Sequence, residues 1–233
     1  MSPLPAPRAL VFDTMGTVVD DKGGVRAATV AVLTRRGDDE QAAVDVATRT
    51  GARLPELLAD VSAGRRAWAP HRELRRVAVQ DAVSGAGLAP LSTAEVDELS
   101  DVVRGFEPWP DSPTGIARLR EGRLAVALTN ADPDELAALS LHGGLAWHLG
   151  LSVQPAHAFK PDPRAYAVAV DALGLPPTEL MLVASHVWDL RGAAALGMQT
   201  CHIRRPGEEP PPEGEFDLLV DDLLDLADEL DAA

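Results

Sequence analysis

The sequence is short of cysteine, aromatic side chains, basic charge and long apolar runs, and each shortage excludes something. The single cysteine, Cys201, cannot form a disulfide within the chain. It lies in the strand-like run Thr200–Ile203, so core packing is its expected role. Aromatic residues are 4% of 233, while hydrophobic residues are 46%. Ala, Val and Leu must therefore build most of the core, which suits helices packed on a Val/Leu-rich sheet. A formal net charge of −15 argues against nucleic acid as a partner, because phosphate binding needs a basic surface. An anionic substrate would need a locally basic site within this acidic field. No segment approaches the roughly 20 apolar residues of a membrane span, so no membrane partner is expected. The N-terminal run MSPLPAPRA lacks the basic-then-apolar order of a signal peptide. A soluble cytoplasmic protein is the expectation. No internal repeat is visible.

What the chain does have is a pattern of apolar runs that stop at polar residues. The first, Ala9–Asp20 (ALVFDTMGTVVD), runs through Leu10, Val11 and Phe12 and halts at Asp13, with Gly16 three residues on. An apolar run bounded by a turn signal reads as a buried strand. Ligands of open α/β sheets sit beyond the carboxyl ends of strands, where this Asp stands. From Asp21 to Phe106 the character changes to Ala-rich helical period without a convincing strand. Helices are predicted over Val25–Arg36, Asp39–Thr50, Leu54–Ala63, Arg72–Ser84 and Thr93–Arg104, the last opened by the cap signal Ser92-Thr93-x-Glu95. The punctuation EPWPDSP (Glu107–Pro113) marks the return to the main domain. Strands are then predicted at Leu124–Leu128, Leu151–Val153, Leu180–Ala184, Thr200–Ile203 and Phe216–Val220, with helices between them and an acidic helix last. Repeated β-α units with near-continuous apolar strands imply a Rossmann-like, doubly wound parallel sheet. Residues 1–20 and 107–233 are read as the α/β core domain, and 21–106 as an inserted helical cap domain.

The residues just past the apolar strands are Asp13, Thr17, Thr129, Asn130, Lys160, Ser185, His186 and Asp189. Each alone has a structural reading, as a helix cap or a surface turn. Together, at the ends of successive strands of one sheet, they are poorly explained by caps.

In order, D-T-M-G-T, T-N, F-K-P-D-P-x-x-Y and V-A-S-H-V-W-D resemble the haloacid dehalogenase superfamily over nearly the whole chain. The closest likeness is to its L-2-haloacid dehalogenase branch. Three details carry that choice: non-acidic Met15 two residues after Asp13, Tyr166 six after Lys160, and S-H-V-W-D in place of G-D-x-x-x-D. The resemblance implies a parallel Rossmann-like core, a helical cap and a cytoplasmic homodimer acting on a small anionic substrate. It implies that Asp13 attacks the halogen-bearing carbon to form an ester, which water then hydrolyses. Lys160 would keep Asp13 ionised, and Asp189 would orient the lysine and activate water. Thr17, Thr129, Asn130 and Tyr166 match positions that fix the nucleophile or line the substrate site. Ser185 and His186 match a pair that is often Ser-Asn in this branch, so His186 is a departure whose role, hydrogen-bond donor or proton acceptor, stays open.

Chemistry separates this branch from its neighbours. Superfamily phosphatases carry a second acid two residues after the nucleophile to protonate the departing alcohol, a contribution of about 10²–10⁴-fold. Met15 has no proton to give, whereas a halide leaves without one. Ser185 stands where the phosphatases hold Mg²⁺ with a carboxylate, and hard cations want anionic oxygen. No cofactor and no metal are therefore expected, with Mg²⁺ entering only under the phosphatase alternative. On the cap, the branch usually presents an arginine to the substrate carboxylate or the halide. Arg49 is the first placement and Arg53 the second, against the plainer reading of a solvated helix face. Trp68 resembles an aromatic-bearing cap turn and is counted with the substrate-binding residues, as is Met15. Asp21-Lys22 replaces the aromatic and arginine that often continue the first motif, which alters the expected substrate range. The alternatives are a phosphatase or phosphonate hydrolase, the latter disfavoured because the insert has no lysine beyond Lys22, and a non-catalytic member of the superfamily.

Overall fold

Apolar residues on both faces of short strands give a sheet that must be covered twice. In the computed structural model, which describes residues 6–232, six strands pair in parallel in the order β3-β2-β1-β4-β5-β6. They are β1 (Ala9–Phe12), β2 (Leu124–Thr129), β3 (Leu149–Ser152), β4 (Leu180–Ala184), β5 (Gln199–Ile203) and β6 (Leu218–Val220). Every residue of β1, β4 and β5 is buried. Alternation along β1 divides its side chains between the two covers. Leu10 and Phe12 join Met181, Val183, Cys201 and Ile203 on one face, while Ala9 and Val11 join Leu180, Leu182 and Ala184 on the other.

The helices are α1 (Asp21–Arg36), α2 (Glu40–Ser62), α3 (His71–Gly85), α4 (Thr93–Ser100), α5 (Ser112–Leu119), α6 (Pro133–His142), α7 (Pro163–Leu173), α8 (Val187–Ala195) and α9 (Leu223–Ala232). The α/β class follows the sequence reading, with several shifts at boundaries, α1 among them, which starts at Asp21 and not at Val25. The helices expected over Asp39–Thr50 and Leu54–Ala63 are one helix of 23 residues with Pro55 inside it. The hydrogen bond that Pro55 cannot donate is lost beside Gly51, where the helix borders a cavity rather than packed protein. The helix expected to reach Arg104 stops at Ser100 and continues as a 3₁₀ turn, Val102–Gly105. β3 begins two residues earlier than expected and β6 two residues later. Residues 1–5, part of the run read as carrying no leader, lie outside the described residues.

Between β1 and α5 the described chain forms helices joined by loops, with no strand beyond isolated bridges. The insert has its own small apolar clusters, such as Leu33, Val46 and Val83. It also shares the sheet's core, since Leu57, Val61, Leu74 and Ala78 pack with Leu128, Phe159 and Tyr166. A buried ion pair adds a polar anchor: Arg75 of α3 donates to Glu135 of α6 at 2.7 Å, with side chains 3% and 0% exposed. Among the described residues no helix is long and apolar enough to cross a membrane.

The chain returns from β3 across the sheet to β4, so strand order reverses between β1 and β4. That switch point, at the carboxyl ends of the strands, is where open α/β sheets bind ligands. Asp13 and Ser185 are the first residues past those two strands.

Candidate active site

Asp13 keeps its backbone in the sheet, its N–H donating to the Val183 carbonyl at 3.0 Å, while its side chain leaves the strand. The following turn folds back because the amides of Val18 and Val19 both reach the Thr14 carbonyl. Thr14 Oγ1 donates to Thr129 Oγ1 at 2.7 Å and ties the turn to β2. Gly16 sits at φ +72°, and a Cβ there would lie 2.9 Å from the His186 ring, so a side chain is excluded twice. From outside the turn, Arg205 donates to the Thr17 carbonyl at 2.8 Å and forms a two-pronged pair with Asp111.

Three side chains converge on the Asp13 carboxylate. Lys160 Nζ lies 3.1 Å from Oδ1 and 2.9 Å from Asp189 Oδ2, with its side chain 1% exposed. Thr17 Oγ1 donates to Asp13 Oδ2 at 2.8 Å, and His186 Nδ1 stands 3.1 Å from the same oxygen. Having given its one proton to Asp13, Thr17 accepts from the Ser185 amide at 3.0 Å and from the Ser185 hydroxyl at 3.1 Å. Tyr166, the only tyrosine in the chain, donates to Asp189 Oδ1 at 2.6 Å from a fully buried position. Gly192 makes that possible, because a Cβ there would fall 2.4 Å from the Tyr166 hydroxyl.

The charges follow from burial and proximity. Burial would raise the Asp13 carboxyl, but the Lys160 ammonium and the His186 hydrogen bond outweigh it and hold the group well below the usual carboxylate range. Burial would likewise lower Lys160, yet the Asp13 and Asp189 charges raise it, so it stays cationic. Burial raises the Asp189 carboxyl against the opposing pull of Lys160. For His186 the desolvation cost is exceeded by the hydrogen bond and charge of Asp13, with Glu208 and Asp189 behind them, and its pKa is pushed up to about 9. Asp13 is thus an ionised carboxylate between two cations, with the side chains of Thr17 and Ser185 bracing it.

Through His186 the site borders a cavity of about 470 Å³ between α1 and α2, whose lining does not include Asp13. His186 forms one wall, Asp21, Lys22, Val25 and Arg26 of α1 a second, and Ala47, Thr48, Gly51 and Pro55 of α2 a third. Arg26 is exposed and has no ion-pair partner among the described residues. A larger, shallower hollow at the amino ends of the strands, beside Arg8, Arg123 and His148, holds none of this constellation.

The sequence-derived residues divide by position. Asp13, Thr17, Lys160, Ser185, His186 and Asp189 come together. Asn130 is close, its Oδ1 accepting from the Lys160 amide at 2.9 Å. Thr129 and Tyr166 lie behind the site, not in the cavity: both are 0% exposed and committed to Thr14 and to Asp189. Met15 packs half-buried against the apolar cluster that contains Phe12 and Phe106. Arg49 requires correction. On α2 the face that borders the cavity carries positions 47, 48, 51 and 55, and Arg49 points away, pairing with Asp45 at 2.6 Å. Arg53, the second placement, pairs with Asp81 and Glu56 on the same outer side. Trp68 stacks on His157 at 4.2 Å, outside the cavity lining. The cations that do reach the cavity, Lys22 and Arg26, stand on α1, and the sequence reading passed over Arg26. It also passed over Glu208, which pairs with Lys22 at 2.7 Å and faces His186 Nε2 at 3.7 Å. Only proximity in the fold distinguishes that glutamate from the other acidic residues of its loop.

Residues 7–197 match the family of haloacid dehalogenase-like hydrolases. The crystal structure of the L-2-haloacid dehalogenase PA0810 superposes with a TM-score of 0.89 at 31% identity, over 97% of this chain and 100% of that one. The (S)-2-haloacid dehalogenase 4A of Burkholderia cepacia is 33% identical over 52% of each chain. A phosphoserine phosphatase of Thermus thermophilus is 34% identical over 69% of this chain and 66% of its own length. The matched segments span about half the length of the first of these curated relatives. The chain belongs to the haloacid dehalogenase-like hydrolase family, on the side of its L-2-haloacid dehalogenases.

Proposed function

We propose that this chain is a hydrolytic dehalogenase of short 2-haloacids, with helices α1–α4 serving as its cap. The observation that carries the reading is an ionised Asp13 at the carboxyl end of β1, held between Lys160 and His186, with no acid at Met15. Asp13 Oδ1, whose one hydrogen bond is to Lys160, attacks the carbon bearing the halogen. That carbon inverts, the halide departs with the bond electrons, and an Asp13 ester forms. Oδ2, already bonded to Thr17 and His186, becomes the ester carbonyl, so the same donors meet the oxyanion when water attacks Cγ. Asp189, anchored by Tyr166, fixes Lys160. Arg26 supplies the counter-charge for the substrate carboxylate that Arg49 is turned away from supplying. The relatives' names support the substrate class and the L enantiomer.

The likeness to a phosphoserine phosphatase favours a second reading, in which Asp13 attacks phosphorus and His186 or Asp21 replaces the missing acid at Met15. One experiment separates the two: halide release from each 2-chloropropionate enantiomer in chelator, beside phosphate release from phosphoserine in Mg²⁺. Chelator-insensitive halide release from the L enantiomer, giving the inverted hydroxyacid, is the expected result. Mg²⁺-dependent phosphate release with no halide overturns the dehalogenase.

A further inference from the structure

We propose that the cavity between α1 and α2 receives the alkyl side chain of the substrate, and that the room left at Gly51 sets a preference for 2-haloacids bearing a propyl or butyl group over 2-halopropionate. The inference rests on the dehalogenase reading and names the members of that substrate class that the site takes best.

Size is the first argument. The cavity holds about 470 Å³, within the range of about 300–1,000 Å³ usual for small-molecule sites. The six non-hydrogen atoms of 2-chloropropionate need about 180 Å³, even at the ~30 Å³ that one water occupies in the liquid. More than half of the space would stay unfilled. Position is the second argument. The His186 ring lines the cavity, and its Nδ1 lies 3.1 Å from Asp13 Oδ2, so the space begins one imidazole away from the nucleophile. A methyl group extends a single bond, about 1.5 Å, from the reacting carbon. A propyl or butyl group is long enough to pass the ring.

The walls match such a chain. Ala47, Gly51 and Pro55 follow one another at intervals of four, share one face of α2 and put no polar side chain on it. Thr48 beside them donates its hydroxyl proton to the Val44 carbonyl at 2.9 Å. Val25 adds hydrocarbon from α1. Gly51 is not there for its backbone, since it lies outside the left-handed region, nor for close packing, since a Cβ would meet nothing within 4 Å. Glycine is among the poorest residues for a helix interior. What it provides here is room, and a longer side chain at that position would enter the cavity.

The charged part of the lining lies elsewhere, on α1 and at His186. Lys22 is paired with Glu208 at 2.7 Å and His186 with Asp13 at 3.1 Å. Arg26, unpaired among the described residues, is left for a carboxylate. A 2-haloacid with its carboxylate toward Arg26 and its alkyl chain along Ala47, Gly51 and Pro55 uses both walls.

The test has two arms. Halide release is measured from the L-2-bromo derivatives of propionate, butanoate, pentanoate and hexanoate, with wild type and with Gly51→Leu. In wild type kcat/KM should rise about 3–4-fold for each added methylene, mainly through KM, as burial of one CH₂ predicts. Gly51→Leu should lower the hexanoate-to-propionate ratio of kcat/KM by about 10-fold or more, because leucine occupies the space of the chain. Thr48→Leu, also on the cavity lining, repeats that reading should Gly51→Leu fold poorly. In the second arm the unreactive acids propionate and hexanoate are titrated by calorimetry, which reads the cavity without chemistry. Hexanoate should bind wild type about 10-fold or more tighter than propionate, and Gly51→Leu should erase the difference. A flat or falling series in wild type, a ratio unchanged in both variants, or equal binding of the two acids overturns the inference and leaves the dehalogenase reading standing. Halide from none of the bromoacids, with hexanoate still bound more tightly than propionate, overturns the dehalogenase reading and supports the cavity as an alkyl-carboxylate site.

Discussion

The Lys160 ammonium stands 3.1 Å from Asp13 Oδ1 on a side chain that is 1% exposed. Its other near contact is Asp189 Oδ2 at 2.9 Å, so one buried cation serves two buried anions. Lys160→Met would leave Asp189 without a cation partner and Asp13 with His186 alone. Stripping one partner from a buried ion pair costs about 3–5 kcal/mol, so the variant should unfold at markedly lower urea than wild type. Its turnover should fall by about 10³-fold or more, because one Asp13–Asp189 carboxylate would be driven to take a proton and the nucleophile would be lost. Halide release and urea midpoints measured together check both halves. A variant with most of its activity intact contradicts the assignment.

The second expectation concerns which arginine meets the substrate. Arg26→Ala should raise KM for a 2-haloacid by about 10-fold or more with a smaller effect on kcat, as loss of a charge-assisted contact to a carboxylate does. Arg49→Ala should leave KM within about twofold, because its pair with Asp45 is exposed and lies outside the cavity. Steady-state kinetics of both variants decide the matter. A larger effect at Arg49 would require α2 to present a different face in the working enzyme.

The contrast between Arg26 and Arg49 shows where the sequence was legible. Strand ends are readable because burial on both faces forces runs such as Leu180–Ala184, and the first polar residue after each run marks the carboxyl edge. Asp13, Thr129 and Ser185 are found that way, and Lys160 and Asp189 by motif. Orientation around a helix depends on the exact phase at which the helix docks. A break between Thr50 and Leu54, which the sequence suggests and the structure does not have, removes the continuity needed to assign that phase, so the sequence does not show that Arg49 faces away from the cavity. Tyr166 was located correctly in sequence but not in depth, since its hydroxyl reaches Asp189 only because Gly192 leaves room. Glu208 had no signal at all. It sits in a loop of several acidic residues, and only the return of that loop to α1 brings it against His186 and Lys22.

The third expectation is a stability change at Asp21, in the first turn of α1. Burial raises its carboxyl to about 6, with His186 pulling it down and Glu208 and Asp13 pushing it up. Unfolded, the group titrates near 3.9. Between these values the folded protein holds the extra proton, so stability contributed by the neutral form is complete below about 4 and is lost as pH rises through about 6. Above that, the folded protein carries a poorly solvated charge. Asp21→Asn removes this cost and should stabilise the protein at pH 7.5 by about 1–2 kcal/mol, a figure reduced for partial exposure to solvent. At pH 4 the two proteins should unfold at nearly the same urea concentration. Urea unfolding at the two pH values checks the sign as well as the size. A variant that is less stable at pH 7.5 would mean that Asp21 is held as a useful anion by His186, and that burial is not what governs it.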